Sequence, residues 1–275
     1  MPEGQEPSRR YADVCHINPD EILVPQKGRA YAEKILAYAK EKGVELSALL
    51  YCANPIVEST EREHLQKVIR AAAVLNIPTV VCFVGRKPTN NIDDNFDRFK
   101  TEFKPIIQTA EECGVNIGAE NCPMLFDSKQ WPGGLNLTSS PANWERAFEI
   151  FPSANFNLTY DASHFCWLGI DPVAPLLEFK DRVVHIHAKD LAVRREKLER
   201  VGILGYPLDY MEPVLVGRGD VPWNRYFDAI YRIGFQGSVC LEFEDKRFEP
   251  KKSEDDEITR RAILKAKRFL DQFVV

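Results

Sequence analysis

The 275-residue chain is 44% hydrophobic and 28% charged, a composition that is typical of globular proteins and excludes an intrinsically disordered chain. No segment approaches the roughly 18 consecutive apolar residues of a membrane-spanning helix. The net charge of −5 argues against a nucleic-acid-binding protein, because such proteins usually present a basic surface.

The seven cysteines indicate a reducing environment. Their number is odd, no Cys-x-x-Cys pair occurs, and several lie in apolar runs, so we interpret them as small buried hydrophobic residues. Disulfide frameworks and zinc knuckles are therefore not expected. Residues 1–10 are polar, lack the apolar segment of a secretory signal and are expected to be disordered. These features favour a cytoplasmic location.

Apolar runs alternate with segments of helical periodicity along the whole chain. In the first half, the predicted order is a weak strand at Tyr11–Ile17, a helix through Ala32–Ala39 that ends before Gly43, a strand at Ser47–Cys52, a helix through Leu65–Leu75, a strand at Thr79–Val84, a helix through Phe96–Ala110 that ends before Gly114, and a strand at Val115–Ala119. In the second half, the order is a helix that starts at Ser140-Pro141, strands at Phe156–Tyr160 and Val183–Ile186, a helix opened by Pro222, a strand at Ser238–Leu241, and a helix capped by Ser253.

Alternating strands and helices predict right-handed βαβ units and a parallel sheet. We therefore predict an α/β fold of the (β/α)₈ TIM-barrel type, formed by residues 1–275 as one domain. A doubly wound open sheet is the alternative, but no glycine-rich phosphate loop follows a strand. Only seven strands are found, so the first β/α unit at the amino-terminal end is expected to be missing or reshaped.

Four polar side chains follow four of the predicted strands directly. They are Glu120, Asp161, His187 and Glu242. In a barrel the carboxyl ends of the strands meet at one rim, where three unpaired carboxylates would repel one another. A divalent cation would relieve this repulsion, and the oxygen-rich set favours Mn²⁺, Mg²⁺ or Co²⁺, with Mn²⁺ first, while remaining compatible with Zn²⁺.

Each of these residues also has a purely structural interpretation. A glutamate at a strand end is usually a solvated loop residue, and Asp161 could simply cap a turn. His185 and His187 alternate with Ile186 and so share one face of the strand, which makes either one a candidate core histidine. We favour His187 as the ligand because it lies nearer the rim.

Five motifs resemble those of the sugar phosphate isomerase/epimerase family, within the xylose-isomerase-like TIM-barrel superfamily. They are Glu120-Asn121-Cys122-Pro123-Met124, Asp161-Ala162-Ser163-His164, His185-Ile186-His187-Ala188-Lys189-Asp190, Gly217-Arg218-Gly219-Asp220-Val221-Pro222-Trp223 and Glu242-Phe243-Glu244. The resemblance extends from about Leu46 to Glu244 and is specific for the superfamily, although not for one substrate.

The resemblance implies a role for each candidate residue. One divalent metal ion would be held by Glu120, Asp161, His187 and Glu242. His164 corresponds to a histidine that contacts the substrate or supports the ligands. Substrate oxygens or a phosphate would be bound by Lys189 and Arg218, each of which could equally be a surface charge. Asn54 would line the pocket, or else be only a turn residue before Pro55.

The activity implied is metal-dependent isomerisation or epimerisation of a sugar or sugar derivative. Glu120 and Glu242 would move a proton next to a carbonyl group, through an enediolate. Elimination from a 3-keto-glycoside by a lyase or hydrolase would use the same site, and a degenerate, non-catalytic barrel is a further alternative. An endonuclease IV-type activity is disfavoured because it needs three metal ions and many histidines, and this chain has five.

The expected partner is a small-molecule sugar, with neither nucleic acid nor membrane. Association into a homo-oligomer is also in keeping with the resemblance. The loop Trp131–Leu137 would either cover the pocket or form a contact.

Overall fold

A computed structural model describes residues 16–125, 128–249 and 257–274. The chain forms two compact units. The first consists of Met1–Ala119 and Arg146–Phe156, and the second of Glu120–Glu145 and Asn157–Val275. Tyr11–Cys15 of the weak predicted strand, the expected disorder of residues 1–10 and the predicted cap Ser253 lie outside the described residues. His16 and Ile17, the end of that predicted strand, are not in a strand.

The first unit begins with two helices and continues as alternating strands and helices. Its elements are α1 (Pro19–Ile22), α2 (Lys27–Glu41), β1 (Ala48–Tyr51), α3 (Ser59–Val74), β2 (Thr79–Cys82), α4 (Ile92–Glu102), α5 (Lys104–Cys113) and β3 (Asn116–Glu120), whose last residue belongs to the second unit. The strands are parallel, with Ala48 opposite Thr79 and Thr79 opposite Asn116.

The helices of this unit occupy the predicted segments, with one exception, although Leu36 on the predicted apolar face of α2 is 37% exposed. Gly43 and Gly114 lie just beyond helix ends with φ of +64° and +63°, the left-handed conformation that glycine adopts at helix ends. The segment predicted as one helix, Phe96–Ala110, is instead two helices that meet at Phe103. Proline explains the break, because Pro105 has no N–H to continue the ladder and starts a new helix in its first turn.

The second unit contains the remaining strands and most of the remaining helices. Its elements are β4 (Phe156–Asp161), α7 (Ala162–Leu168), α8 (Ala174–Glu178), β5 (Val183–Ala188), β6 (Asp190–Val193), α9 (Arg195–Val201), β7 (Met211–Val214), α10 (Trp223–Arg232), β8 (Val239–Leu241) and α11 (Glu257–Asp271). Helix α6 (Pro141–Ile150) starts in this unit and ends in the first, and Phe156 of β4 also belongs to the first. Single 3₁₀ turns occur at Ser128–Gln130, Lys180–Arg182 and Pro207–Asp209.

Strands β4, β5 and β8 are parallel neighbours in that order. Their register places Asp161 opposite His187, and His187 opposite Cys240. Glu242 follows β8 directly, and its N–H donates to the carbonyl oxygen of Ala188 at 3.1 Å. The pairing therefore brings one end of all three strands to the same edge of the sheet.

The six strong strand predictions are confirmed within a residue or two, and they establish the α/β class. Strands β6 and β7 were not predicted. They form an antiparallel pair in which Asp190 lies opposite Val214, and α9 lies between them in the sequence. Their short length and mixed polarity give no clear alternation, so the sequence pattern does not reveal them. None of the described helices is both long and apolar enough to cross a bilayer.

Candidate metal centre

Four side chains of the second unit converge where the parallel strands end. Glu120 is the last residue of β3 and Asp161 the last of β4. His187 is the last residue but one of β5, and Glu242 follows β8 directly. Asp161 also caps α7, since its Oδ1 accepts the N–H of Ser163 at 2.8 Å. The second carboxylate oxygen of Asp161, Oδ2, is not used by this cap and lies 3.2 Å from Nε2 of His164.

The distances within this group are those of a potential coordination sphere. Nδ1 of His187 lies 3.2 Å from Oε2 of Glu242 and 3.5 Å from Oε1 of Glu120. One potential ligand atom from each of Glu120, Asp161, His187 and Glu242 lies within 4.8 Å of the others. The structure therefore brings together all four residues that the sequence predicted as metal ligands.

Three buried polar atoms of the group, Oδ2 of Asp161, Nδ1 of His187 and Oε2 of Glu242, make no hydrogen bond of normal geometry within the described residues. They lie against other ionisable atoms of the same cluster: Nδ1 of His187 is 3.2 Å from Oε2 of Glu242, and Oδ2 of Asp161 is 3.2 Å from Nε2 of His164. Burying polar atoms without partners is costly unless another group compensates them. A divalent cation is such a group, and carboxylate oxygens with one imidazole are a suitable donor set. The residues present fit a metal ion.

The pKa values of Glu120 and His187 reflect the close approach of carboxylates and imidazole in this group. Burial by itself would raise the pKa of Glu120, but the charge of His187 outweighs this effect and lowers the pKa. Burial likewise opposes the charged form of His187, yet the carboxylate of Glu120 holds the pKa of that imidazole well above its usual range. A proton on His187 therefore balances the carboxylates when no cation does, and cation binding should release it.

His185 differs from its neighbour His187, although both rings lie on the same side of β5, 5.4 Å apart. Burial and the nearby charge of His187 lower the pKa of His185 to about 4, so His185 is neutral near pH 7. His185 is not part of the four-residue group.

Two asparagines hold the backbone beneath these ligands, and the sequence analysis assigned a role to neither. The side chain of Asn121 accepts the N–H of Asp161 and donates to its carbonyl oxygen, both at 2.8 Å. Asn136 donates to the carbonyl oxygens of Glu120 and Cys122 at 2.7 and 2.8 Å. Both asparagines are buried. Each joins chain segments far apart in sequence, so local patterns carry little signal of them.

Lys189 is buried beside the group and is fully engaged by two carboxylates. Its Nζ lies 2.8 Å from Oε2 of Glu244 and 3.4 Å from Oε1 of Glu242. Burial alone would lower the pKa of Lys189, but the charges of Glu242 and Glu244 raise it, so the side chain is an ammonium. Lys189 is thus an ion-pair partner of Glu242 and not an exposed surface charge.

The other predicted substrate-binding residues lie in different surroundings. Nε2 of His164 is 3.2 Å from Oδ2 of Asp161. Arg218 is exposed, and its guanidinium carbon lies 5.9 Å from the centroid of the Phe248 ring. Asn54 belongs to the first unit, where its side chain accepts the N–H of Arg86 and donates to the carbonyl oxygen of Arg86.

The loop that carries Arg218 is organised by Asp190, whose role was also not predicted. The carboxylate of Asp190 accepts hydrogen bonds from five groups: the N–H groups of Leu191, Gly217, Gly219 and Val221 and the indole N–H of Trp223. A Cβ at Gly219 would lie 2.2 Å from Oδ1 of Asp190, so this position requires glycine.

The loop Trp131–Leu137 contacts the segment that connects β6 and β7. The indole N–H of Trp131 donates to the carbonyl oxygen of Leu204 at 3.1 Å, and its ring lies 6.4 Å from that of Trp167. Trp131 also packs against a buried cluster that includes Trp167, Leu191 and Tyr210. Trp131 therefore makes its contacts within the same chain.

The Asn121→Ala substitution should destabilise the protein. It removes the acceptor of the buried N–H of Asp161 and one donor to the carbonyl oxygen of Asp161, and an unpaired buried group costs about 1–3 kcal/mol. We expect the free energy of unfolding, measured by chemical denaturation, to fall by about 1–3 kcal/mol. Asn224→Ala, at an exposed position on α10, is the control and should have little effect. Equal denaturation midpoints for the two variants would show that the hydrogen bonds between Asn121 and Asp161 do not stabilise the protein.

The Lys189→Met substitution removes the cation that Glu242 and Glu244 share. Deleting one partner of a fully buried pair costs about 3–5 kcal/mol, but these carboxylates keep some contact with water, so we expect about 1–3 kcal/mol. Their side chains are 28% and 33% exposed. Thermal and chemical unfolding measure the loss, with the exposed Lys197→Met as control. An unchanged stability would show that the ion pairs contribute nothing.

Sequence comparisons relate the chain to one known family and to several individual proteins. A family model described as xylose isomerase-like TIM barrel matches residues 10–269. The Bacillus subtilis protein YfiH is 26% identical over 278 aligned residues, which cover 87% of this chain and 83% of that protein. An inosose dehydratase of Lacticaseibacillus casei is 24% identical over 181 residues, 65% of this chain and about half (55%) of the dehydratase.

Solved structures agree on the fold. A D-tagatose 3-epimerase-like protein superposes with a TM-score of 0.63 and 18% identity over 90% of this chain and 83% of its own. The IolI protein, crystallised with a zinc atom bound, gives a TM-score of 0.65 and 16% identity over 91% and 86% of the two chains. On the strength of the family match, this chain belongs to the xylose isomerase-like TIM-barrel family.

Proposed function

We propose that this chain is a divalent-metal-dependent carbohydrate isomerase or epimerase that transfers a proton next to a carbonyl group. One observation carries the proposal: Glu120, Asp161, His187 and Glu242 present ligand atoms within 4.8 Å of one another at the ends of four strands. Because Glu120 and Asp161 are buried carboxylates and Glu242 is a partly buried one, the group suits a bound cation better than an apolar ligand.

The four residues would hold the metal ion through one oxygen of each carboxylate and Nδ1 of His187. When bound, a divalent cation supplies Lewis-acid stabilisation to the oxygen on which negative charge develops. The preferred ion is Mn²⁺, in keeping with an oxygen-rich set, and the zinc atom in the IolI structure supports a divalent ion in general.

The chain itself would supply the acid and the base. Glu120 and Glu242 come from different strands, and each has a second carboxylate oxygen that need not serve as a ligand. One of them would remove the proton from the carbon next to the carbonyl, and the other would return a proton. Return to the same carbon from the opposite side gives an epimer, whereas return to the adjacent carbon gives an isomer.

The ammonium of Lys189 would hold Glu242 in place for this role, since the pair is 3.4 Å apart. The two hydrogen bonds between the Asn121 side chain and the backbone of Asp161 would hold Asp161 in place in the same way. Preorganised charges of this kind contribute to catalysis because they need not rearrange during the reaction. The substrate is expected to be a small sugar or cyclic polyol with a ketone group.

Elimination is the second candidate reaction. The inosose dehydratase among the sequence relatives favours it, and the 3-keto-glycoside lyase considered from the sequence belongs to the same class. Both reactions begin with removal of a proton next to a ketone, and they differ in whether a leaving group on the next carbon departs. The site residues named above would serve either outcome.

Proton–deuterium exchange tests the proposal directly. With Mn²⁺ added, the protein should exchange the proton next to the carbonyl of at least one member of a panel of ketoses, inososes and 3-keto-glycosides in D₂O, followed by NMR. Glu120→Gln and Glu242→Gln should each slow exchange by about 10²–10⁴-fold, the usual contribution of a positioned acid or base. Glu145→Gln, at an exposed position on α6, is the control.

The products distinguish the two reactions. An epimer or isomer appears with deuterium at the exchanged carbon, whereas elimination gives an unsaturated ketone and a released group. Near-normal exchange by both glutamine variants, with circular dichroism showing intact folds, would refute the assigned roles.

A further inference from the structure

A second group of potential metal ligands shares Glu120 with the four-residue group, and its other two members, Cys122 and His164, are not used by the reaction proposed above. Glu120, Cys122 and His164 present an oxygen, a sulfur and a nitrogen atom within 4.8 Å of one another. Cys122 was interpreted from the sequence only as a small hydrophobic residue. In the structure, its side chain is partly exposed and lies beside two potential ligands.

The backbone holds Glu120 and Cys122 in a fixed relation. The side chain of Asn136 donates to the carbonyl oxygens of both, and Oγ1 of Thr138 donates to Oδ1 of Asn136 at 3.2 Å. Asn136 and Thr138 are both buried, which limits their movement. Two potential ligands therefore lie on a preformed segment and need little ordering when a cation binds.

His164 provides an independent indication of a ligand. It lies in the first turn of α7 and is only 6% exposed. Its Nδ1 makes no hydrogen bond within the described part of the chain, while its Nε2 lies 3.2 Å from Oδ2 of Asp161 and 3.8 Å from Oε1 of Glu120. A buried polar atom normally has a hydrogen-bond partner, so the unpartnered Nδ1 indicates a further group at this position.

We propose that Glu120, Cys122 and His164 bind a second divalent cation of the thiolate-preferring, zinc class. Thiolate and imidazole are the donors that zinc prefers, in contrast to the oxygen-rich neighbouring group. Three protein ligands leave a coordination position open, as in catalytic zinc sites. The thiol of Cys122 loses its proton to solvent when the cation binds. This second site rests on the proposed function only in that Glu120 belongs to both groups.

Cobalt(II) is the probe, because a cobalt–thiolate bond gives an intense charge-transfer absorption that oxygen and nitrogen ligands do not. The reduced, metal-free chain is titrated with Co²⁺ and followed by absorption spectroscopy. We expect the band in the wild type and its loss in Cys122→Ser. Cys166→Ser is the matched control, since this thiol lies on α7 outside the group and donates to the carbonyl oxygen of Ala162.

Two further variants separate the second site from the first. Glu242→Gln disturbs only the four-residue group and should keep the band, whereas His164→Asn should weaken Co²⁺ binding at Cys122 by at least about tenfold. Absence of the band in both the wild type and Glu242→Gln, or its full persistence in Cys122→Ser, would overturn the proposal. Circular dichroism of each variant verifies that the fold is retained.

Mn²⁺ binding by Cys122→Ser tests the four-residue group separately. This variant should still bind Mn²⁺, because all four residues of the oxygen-rich group are unchanged. Failure of Mn²⁺ binding with a normal cobalt–thiolate band in the wild type would count against the proposed function and not against the second site.

Discussion

The arrangement of this protein's second unit depends on one electrostatic constraint: three carboxylates and an imidazole share a buried space only if positive charge is present among them. Asp161 is fully buried and Glu120 is 3% exposed, so water cannot screen their repulsion. Protons on His187 and His164 and the ammonium of Lys189 supply positive charge in the absence of a cation. A divalent ion would replace the imidazole protons by a stronger and better-placed charge.

Strand register and two asparagines make the convergence possible. The pairing of β4, β5 and β8 sets Asp161 beside His187 and brings Glu242 to the same edge. Asn121 fastens the segment that follows β3 to the end of β4, and Asn136 fixes Glu120 and Cys122. The ligands thus stand on backbone that hydrogen bonds have already ordered, which is the condition for a precise metal site.

Sequence patterns predicted the features that depend on local periodicity and on the common direction of parallel strands. The six strong strands and the set Glu120, Asp161, His187 and Glu242 fall in this class, because strand ends meet whatever the details of packing. The patterns missed features that depend on partners distant in sequence. Asn121 and Asp190 look like ordinary loop residues until their backbone partners are known, and β6 and β7 are too short to show alternation.

The most direct test of the central claim is anomalous diffraction from crystals of the chain soaked in Mn²⁺. We expect an anomalous peak at about 2.0–2.3 Å from oxygens of Glu120, Asp161 and Glu242 and from Nδ1 of His187. A map without a peak among these side chains, or with Mn²⁺ bound elsewhere while the three carboxylates stay close together, would contradict it.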